Sequence, residues 1–221
     1  MKRKYITYDE RLNTRLENIG FKRKNQNTFV KNCGNIVHKL LFSHSSHHEH
    51  GVKYYTIGMM VEFLDIEKLS KEIGVIRTKG WILNIGHILD IPSYYTWRLT
   101  ETDPDERITE IVESMYDMIK TYALPFMNRY SNIETLLWEY ELGNLYLTKK
   151  IFLDRILVCM MYQVLGQTEK ALQFIELTIM ERKEWEATGH IKGRRYPIPT
   201  ESLDVYLLFE QKFKVYLETL K

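Results

Sequence analysis

What this chain lacks narrows its class before anything it contains. Only two cysteines, Cys33 and Cys159, occur in 221 residues. A disulfide framework or a cysteine-rich zinc site needs more of them at set spacings, so two free thiols are expected. Long apolar runs are missing too. The longest, Ile156 to Tyr162, is seven residues, against the ~20 that a membrane-crossing helix requires. Met1-Lys2-Arg3-Lys4 leads directly into Tyr5, Thr7, Asp9, Glu10 and Arg11, and an export leader would have an apolar stretch there. The expectation is a cytoplasmic protein with no membrane contact. Excess charge of one sign is absent, with a net charge of +2. No catalytic or cofactor motif rises above the background of a chain this long, so an enzyme is the second expectation and not the first.

What is present supports a folded globule. Hydrophobic residues make up 44%, with 15 Tyr, 9 Phe and 4 Trp, which excludes a disordered chain. A protein of this length buries roughly 70% of its unfolded surface. The charges are unevenly placed. Residues 2–31 hold nine basic side chains against three acidic ones, and residues 101–117 hold seven acidic ones against Arg107.

The chain is organised around residues 20–63. Tyr55, Ile57, Met59, Val61 and Phe63 alternate with Thr56, Gly58, Met60 and Glu62, and Ile36, His38, Leu40 and Phe42 repeat the pattern one run earlier. A period of two predicts strands with one buried face. Gly34-Asn35 before the earlier run supplies a tight turn.

The same stretch carries a resemblance. Leu16, Ile19, Gly20-Phe21-Lys22-Arg23-Lys24, Thr28-Phe29 and Gly34-Asn35-Ile36-Val37 look like the opening of a bacterial domain-of-unknown-function family, which has a helix, a Gly-Phe-Lys-Arg-Lys element and a Thr-Phe strand. The likeness covers roughly residues 1–130 and brings no function with it. The histidine-rich loop after Phe42 departs from the family pattern.

In chain order, Thr7 and Glu10 form a capping box, typically worth ~1 kcal/mol, for a first helix that stops at Gly20. Its stripe is Tyr8, Leu12, Leu16 and Ile19. Asp65 to Ile73 has the spacing of a short helix. Trp81 to Ile91 and Tyr95 to Leu99 alternate as further strands, making four or five in all. Asp103-Pro104 reads as a cap followed by a first-turn proline. The helix after it is striped by Ile108, Ile111, Val112, Met115, Ile119 and Tyr122.

Leu124-Pro125 and Ser131-Asn132 punctuate the chain, and every later segment has helical spacing. Ile133, Leu136, Leu137 and Tyr140 mark one helix, and Ile151 to Leu165 is apolar nearly all round. With Thr168 to Met180 it resembles a single tetratricopeptide hairpin, without the repeats of an array. Thr200 to Leu220 closes the chain, striped by Leu203, Tyr206, Phe213, Leu217 and Leu220. The fold class expected is α+β: an antiparallel meander of four to five strands with two helices on one face in residues 1–130, then an all-helical extension in residues 131–221.

Four groups of residues are candidates for function. His44, His47, His48 and His50, with Glu49 among them, are ligand types for a divalent transition metal. Their spacing matches no zinc pattern, so a solvated loop is the first reading. His38 and His87 fall on apolar strand faces, where a core histidine is the ordinary explanation. Lys2, Arg3, Lys4, Lys22, Arg23, Lys24 and Lys31, near Tyr5, Phe21 and Phe29, have the makings of a phosphate-contacting edge. The balanced charge and the lack of a nucleic-acid motif disfavour it. Tyr94 and Trp97, and the acidic side chains Glu106, Glu110 and Glu113, are candidates for binding another protein. The first functional expectation is a non-enzymatic protein-binding module, immunity- or antitoxin-like by analogy. The alternative is a metal-dependent protein or enzyme using the histidine loop.

Overall fold

The computed structural model describes residues 2–46, 50–75, 79–89, 96–143, 153–193, 196 and 198–220, with the backbone alone for 2–9. The chain divides into two compact units. One comprises Met1–Glu62 with Ile82–Tyr130, and the other Phe63–Trp81 with Ser131–Lys221. The α+β class and the helical second half are as expected.

In the first unit, α1 (Lys2–Glu17) starts before Thr7. The Thr7–Glu10 capping box is therefore corrected: both residues lie inside the helix, where no orphan amide needs them. The end is as read. Gly20 takes a left-handed φ of 88°, and the Phe21 amide donates back to the Leu16 carbonyl at 3.0 Å.

Four strands follow, β1 (Lys22–Asn25), β2 (Thr28–Cys33), β3 (Ile36–Ser45) and β4 (Val52–Phe63). The pairing of β1 with β2 is antiparallel, as is that of β2 with β3, where Phe29 lies opposite Leu40 and Lys31 opposite His38. Gly34, at φ 66°, makes the tight turn between them. With β5 (Gly80–Asn84) and β6 (Trp97–Thr100) the described sheet has six strands, in the order β1-β2-β3-β4-β5, with β6 also on β4. A strand has two edges, so β5 and β6 share the edge of β4 that β3 leaves open. β6 takes Val52 to Tyr55, antiparallel.

The strand expected over Trp81–Ile91 stops at Asn84. Its side-chain oxygen accepts from the Gly86 amide at 2.9 Å and starts the short helix α3 (Ile85–Ile88), which moves His87 from a strand to a helical turn. Residues 90–95 lie outside the described set.

The next helix, α4 (Asp105–Met118), has Pro104 at its N-cap. Asp103 is not the cap: its carboxylate accepts from the Thr100 amide at 2.6 Å and closes the turn after β6. Ile108, Ile111, Val112 and Met115 are buried as the stripe required. The helix then widens into a π turn over Ile119–Ala123 and continues as α5 (Leu124–Arg129), so Leu124-Pro125 is no break. The extra residue in that turn rotates the face. Tyr122 is 42% exposed, and Ala123 is buried in its stead.

In the second unit, α2 (Leu64–Ile73) buries Ile66, Leu69 and Ile73, and ends on Gly74 at φ 76°. Asn132 caps α6 (Ile133–Glu141), its side chain accepting from the Thr135 amide at 2.8 Å. Asp154 does the same for α7 (Arg155–Val164), accepting from Ile156 at 3.0 Å. Every residue of α7 from Arg155 to Tyr162 is buried, which makes it the central helix. It packs against α2, α6 and α8 (Thr168–Thr188), and α8 in turn against α9 (Leu203–Glu218). In α9, Tyr206, Phe209 and Phe213 are buried while Leu220 is 59% exposed. The stripe holds at its centre, and Leu220 lies beyond the end of the helix.

The α7–α8 crossing is close. Ala171 is fully buried, and the Cys159 thiol donates to its carbonyl at 3.2 Å. Ala171→Leu is expected to overpack this contact and cost about 1–3 kcal/mol, read by urea denaturation, with the exposed neighbour change Gln173→Leu near neutral.

Candidate functional site

Of the histidine loop, His44 at the end of β3 and His50 before β4 are exposed, and His47, His48 and Glu49 lie outside the described residues. The His44 ring packs 5.6 Å from that of Tyr55. Among the described residues no three of His, Cys, Asp and Glu gather where a metal ion would need them. His38 is only 2% exposed, and burial together with the Lys31 ammonium lowers its pKa to about 4.

Two carboxylates on the acidic face of α4 are engaged by α1. Arg15 pairs with Glu113 at 2.5 Å, and Arg11 reaches Asp105 and the Thr109 hydroxyl. Glu110 pairs with Arg107 on its own helix. Only Glu106 of the three candidate glutamates has no ion pair among the described residues. Trp97 is corrected from the binding set. It is 5% exposed, and its indole N–H donates to the Ser114 hydroxyl at 3.0 Å, so it is core. Tyr94 lies outside the described residues.

The basic edge is present on β1, where Lys22, Arg23 and Lys24 are exposed. Arg23 folds onto its own turn, donating to the Asn25 and Gln26 carbonyls and lying over the Phe29 ring. Of the rings a base would stack on, Phe21 and Phe29 are buried, and the Tyr5 side chain, like those of Lys2, Arg3 and Lys4, lies outside the described set.

The two faces of the sheet differ, and β4 measures the difference. Tyr55, Ile57, Met59 and Val61 are 0–7% exposed on one side, while Thr56, Gly58, Met60 and Glu62 are half-buried on the other. That second side is tied across to β3 by Lys39–Glu62 at 2.5 Å and Ser43–Thr56 at 2.6 Å. A side chain at Gly58 would meet Leu41 at 3.5 Å. Ile82 on β5, 47% exposed beside buried Leu83, extends the apolar part of this face.

Sequence reasoning missed a buried charge cluster in the second unit. Arg155, within the helix read as apolar nearly all round, is 3% exposed at its side chain and pairs with Glu181 at 2.5 Å. Its guanidinium lies 5.5 Å over Phe174 and 5.4 Å over Tyr196. Tyr196 stacks on Tyr140 at 5.2 Å, and burial holds the Tyr140 phenol well above its usual pKa. Beside it, burial and a hydrogen bond to Glu141 at 2.8 Å raise that of Tyr162. The one available signal was the pairing of a single arginine in an apolar run with a glutamate on the buried stripe of the next helix.

Two outcomes follow from these environments. Glu181→Leu leaves a buried guanidinium without its carboxylate and is expected to cost about 3–5 kcal/mol, with Arg155→Met plus Glu181→Leu costing less than the single change; calorimetry reads both. For His38, the unfolded chain takes up a proton near pH 6.5 and the folded chain only near 4. Stability is therefore full above pH 6.5 and falls by about 1.4 kcal/mol per unit as pH drops through that window, about 3 kcal/mol in all. His38→Phe is expected to remove that part of the slope in denaturation curves taken from pH 4 to 7.

The described helices include none long and apolar enough to cross a membrane. Compared with known proteins, the chain matches no family model, no curated protein and no solved structure.

Proposed function

We propose that this chain is a non-enzymatic protein-binding module acting in the cytoplasm, and that the half-open face of the sheet is its recognition surface. The carrying observation is the contrast along β4, sealed on one side and only half-buried on the other. An apolar strip of Leu41, Met60 and Ile82 with a polar rim is the composition that protein interfaces draw on. The Lys39–Glu62 pair on that rim supplies charge without an unpaired ion. The acidic face of α4 is the weaker surface, because Arg11 and Arg15 already use two of its carboxylates. A binding-and-blocking role of the immunity or antitoxin kind suits a module of this form, an inference from form alone.

The test compares two variants that alter opposite faces of the first unit. Tagged protein is used to capture partners from the cell that expresses it, with quantitative mass spectrometry as the readout. Ile82→Arg is expected to reduce recovery of a single partner by about tenfold or more, whereas Glu106→Lys with Glu110→Lys leaves it intact. Retention of the partner by Ile82→Arg, with its melting temperature unchanged, rules out the sheet face.

A further inference from the structure

The second unit carries a trough along α8. Near its start a 240 Å³ cavity is lined by Glu141, Lys170, Gln173 and Phe174 among others, and further along is a 600 Å³ cavity. Leu177 and Tyr196 line both. From Lys170 to Glu184 the helix rises about 21 Å, the length of roughly six residues of extended chain. The floor of the larger cavity is apolar: Leu177, Met180, Ile191 and Tyr196 line it, and Met180 is 67% exposed.

The charges around this floor are unequal in what they have left to offer. Glu181 is held by Arg155, Glu184 accepts from the Lys192 amide at 3.0 Å, and Glu141 is engaged by Tyr162 and Lys170. Lys183 and Lys192 both line the larger cavity, and neither ammonium has an ion-pair partner among the described residues. Glu184 keeps an uncompensated charge of its own, so the excess on this cavity is one positive charge, two ammoniums against one carboxylate. It sits at one end of the trough, the apolar floor lies beside it, and Glu141, Lys170 and Gln173 line the other end.

We infer that this trough receives an extended segment of a partner protein in which apolar side chains run into an acidic end, the carboxylates meeting Lys183 and Lys192. The apolar part lies over Leu177, Met180 and Ile191. Desolvation of that floor supplies affinity, and the two ammoniums set direction.

The test is to pan a displayed random-peptide library over the full chain and measure the enriched peptides by fluorescence anisotropy. Enriched sequences are expected to join Leu, Ile or Phe to Asp or Glu. Binding should weaken about tenfold or more with Lys183→Glu plus Lys192→Glu, and again with Met180→Glu. All three positions are exposed, so the fold is kept, which circular dichroism checks. Enrichment of basic peptides, no enrichment, or undiminished binding by the double lysine variant overturns the inference. Ile82→Arg is expected to leave peptide affinity unchanged, which separates this outcome from that of the sheet-face proposal.

Discussion

Strand β4 is the constraint on which the first unit depends. It offers one edge to β3 and divides the other between β5 and β6, so it must be regular throughout. Its even alternation meets that need, since a single inserted residue would turn Tyr55, Ile57, Met59 and Val61 out of the core together. Once that face is sealed by α1 and α4, the opposite face is set by the same period. The half-open face of the first unit is thus a by-product of how β4 pairs.

Charge is handled differently in the two units. In the first, opposite charges meet at helix surfaces, Arg11 and Arg15 of α1 with Asp105 and Glu113 of α4. These pairs are solvent-screened and contribute little stability each, but they remove from the surface an acidic face that would otherwise attract basic partners. In the second unit the pair is buried. Arg155 and Glu181 lie between aromatic rings, where the loss of either one would strand the other. Such a pair favours the alignment of α7 on α8 that brings guanidinium and carboxylate together.

Several expectations failed at points where local pattern and chain direction separate. The alternation of Leu83, Ile85 and His87 continues past Asn84, yet the Asn84 side chain takes the Gly86 amide and the strand ends. The α4 stripe holds to Ile119, and then one extra residue in the π turn exchanges Tyr122 for Ala123. Thr7 and Asp103 are sound capping residues by type, but α1 begins at Lys2 and the Thr100 amide claims Asp103. A capping residue acts only where the helix actually begins, and that point is set by packing.

Periodicity was determined by the sequence alone, because side-chain direction along a strand or helix follows from its residue spacing. The sealed face of β4, the stripe of α4 and the burial of the mostly apolar α7 follow from it. Partnership was decided only in three dimensions. Trp97 is core because Ser114 meets its N–H, the acidic helix is half neutralised because α1 lies beside it, and Arg155 is tolerated because Glu181 reaches it from 26 residues away. A charge or a ring costs or contributes according to what stands across from it, and no local window of the chain contains that neighbour.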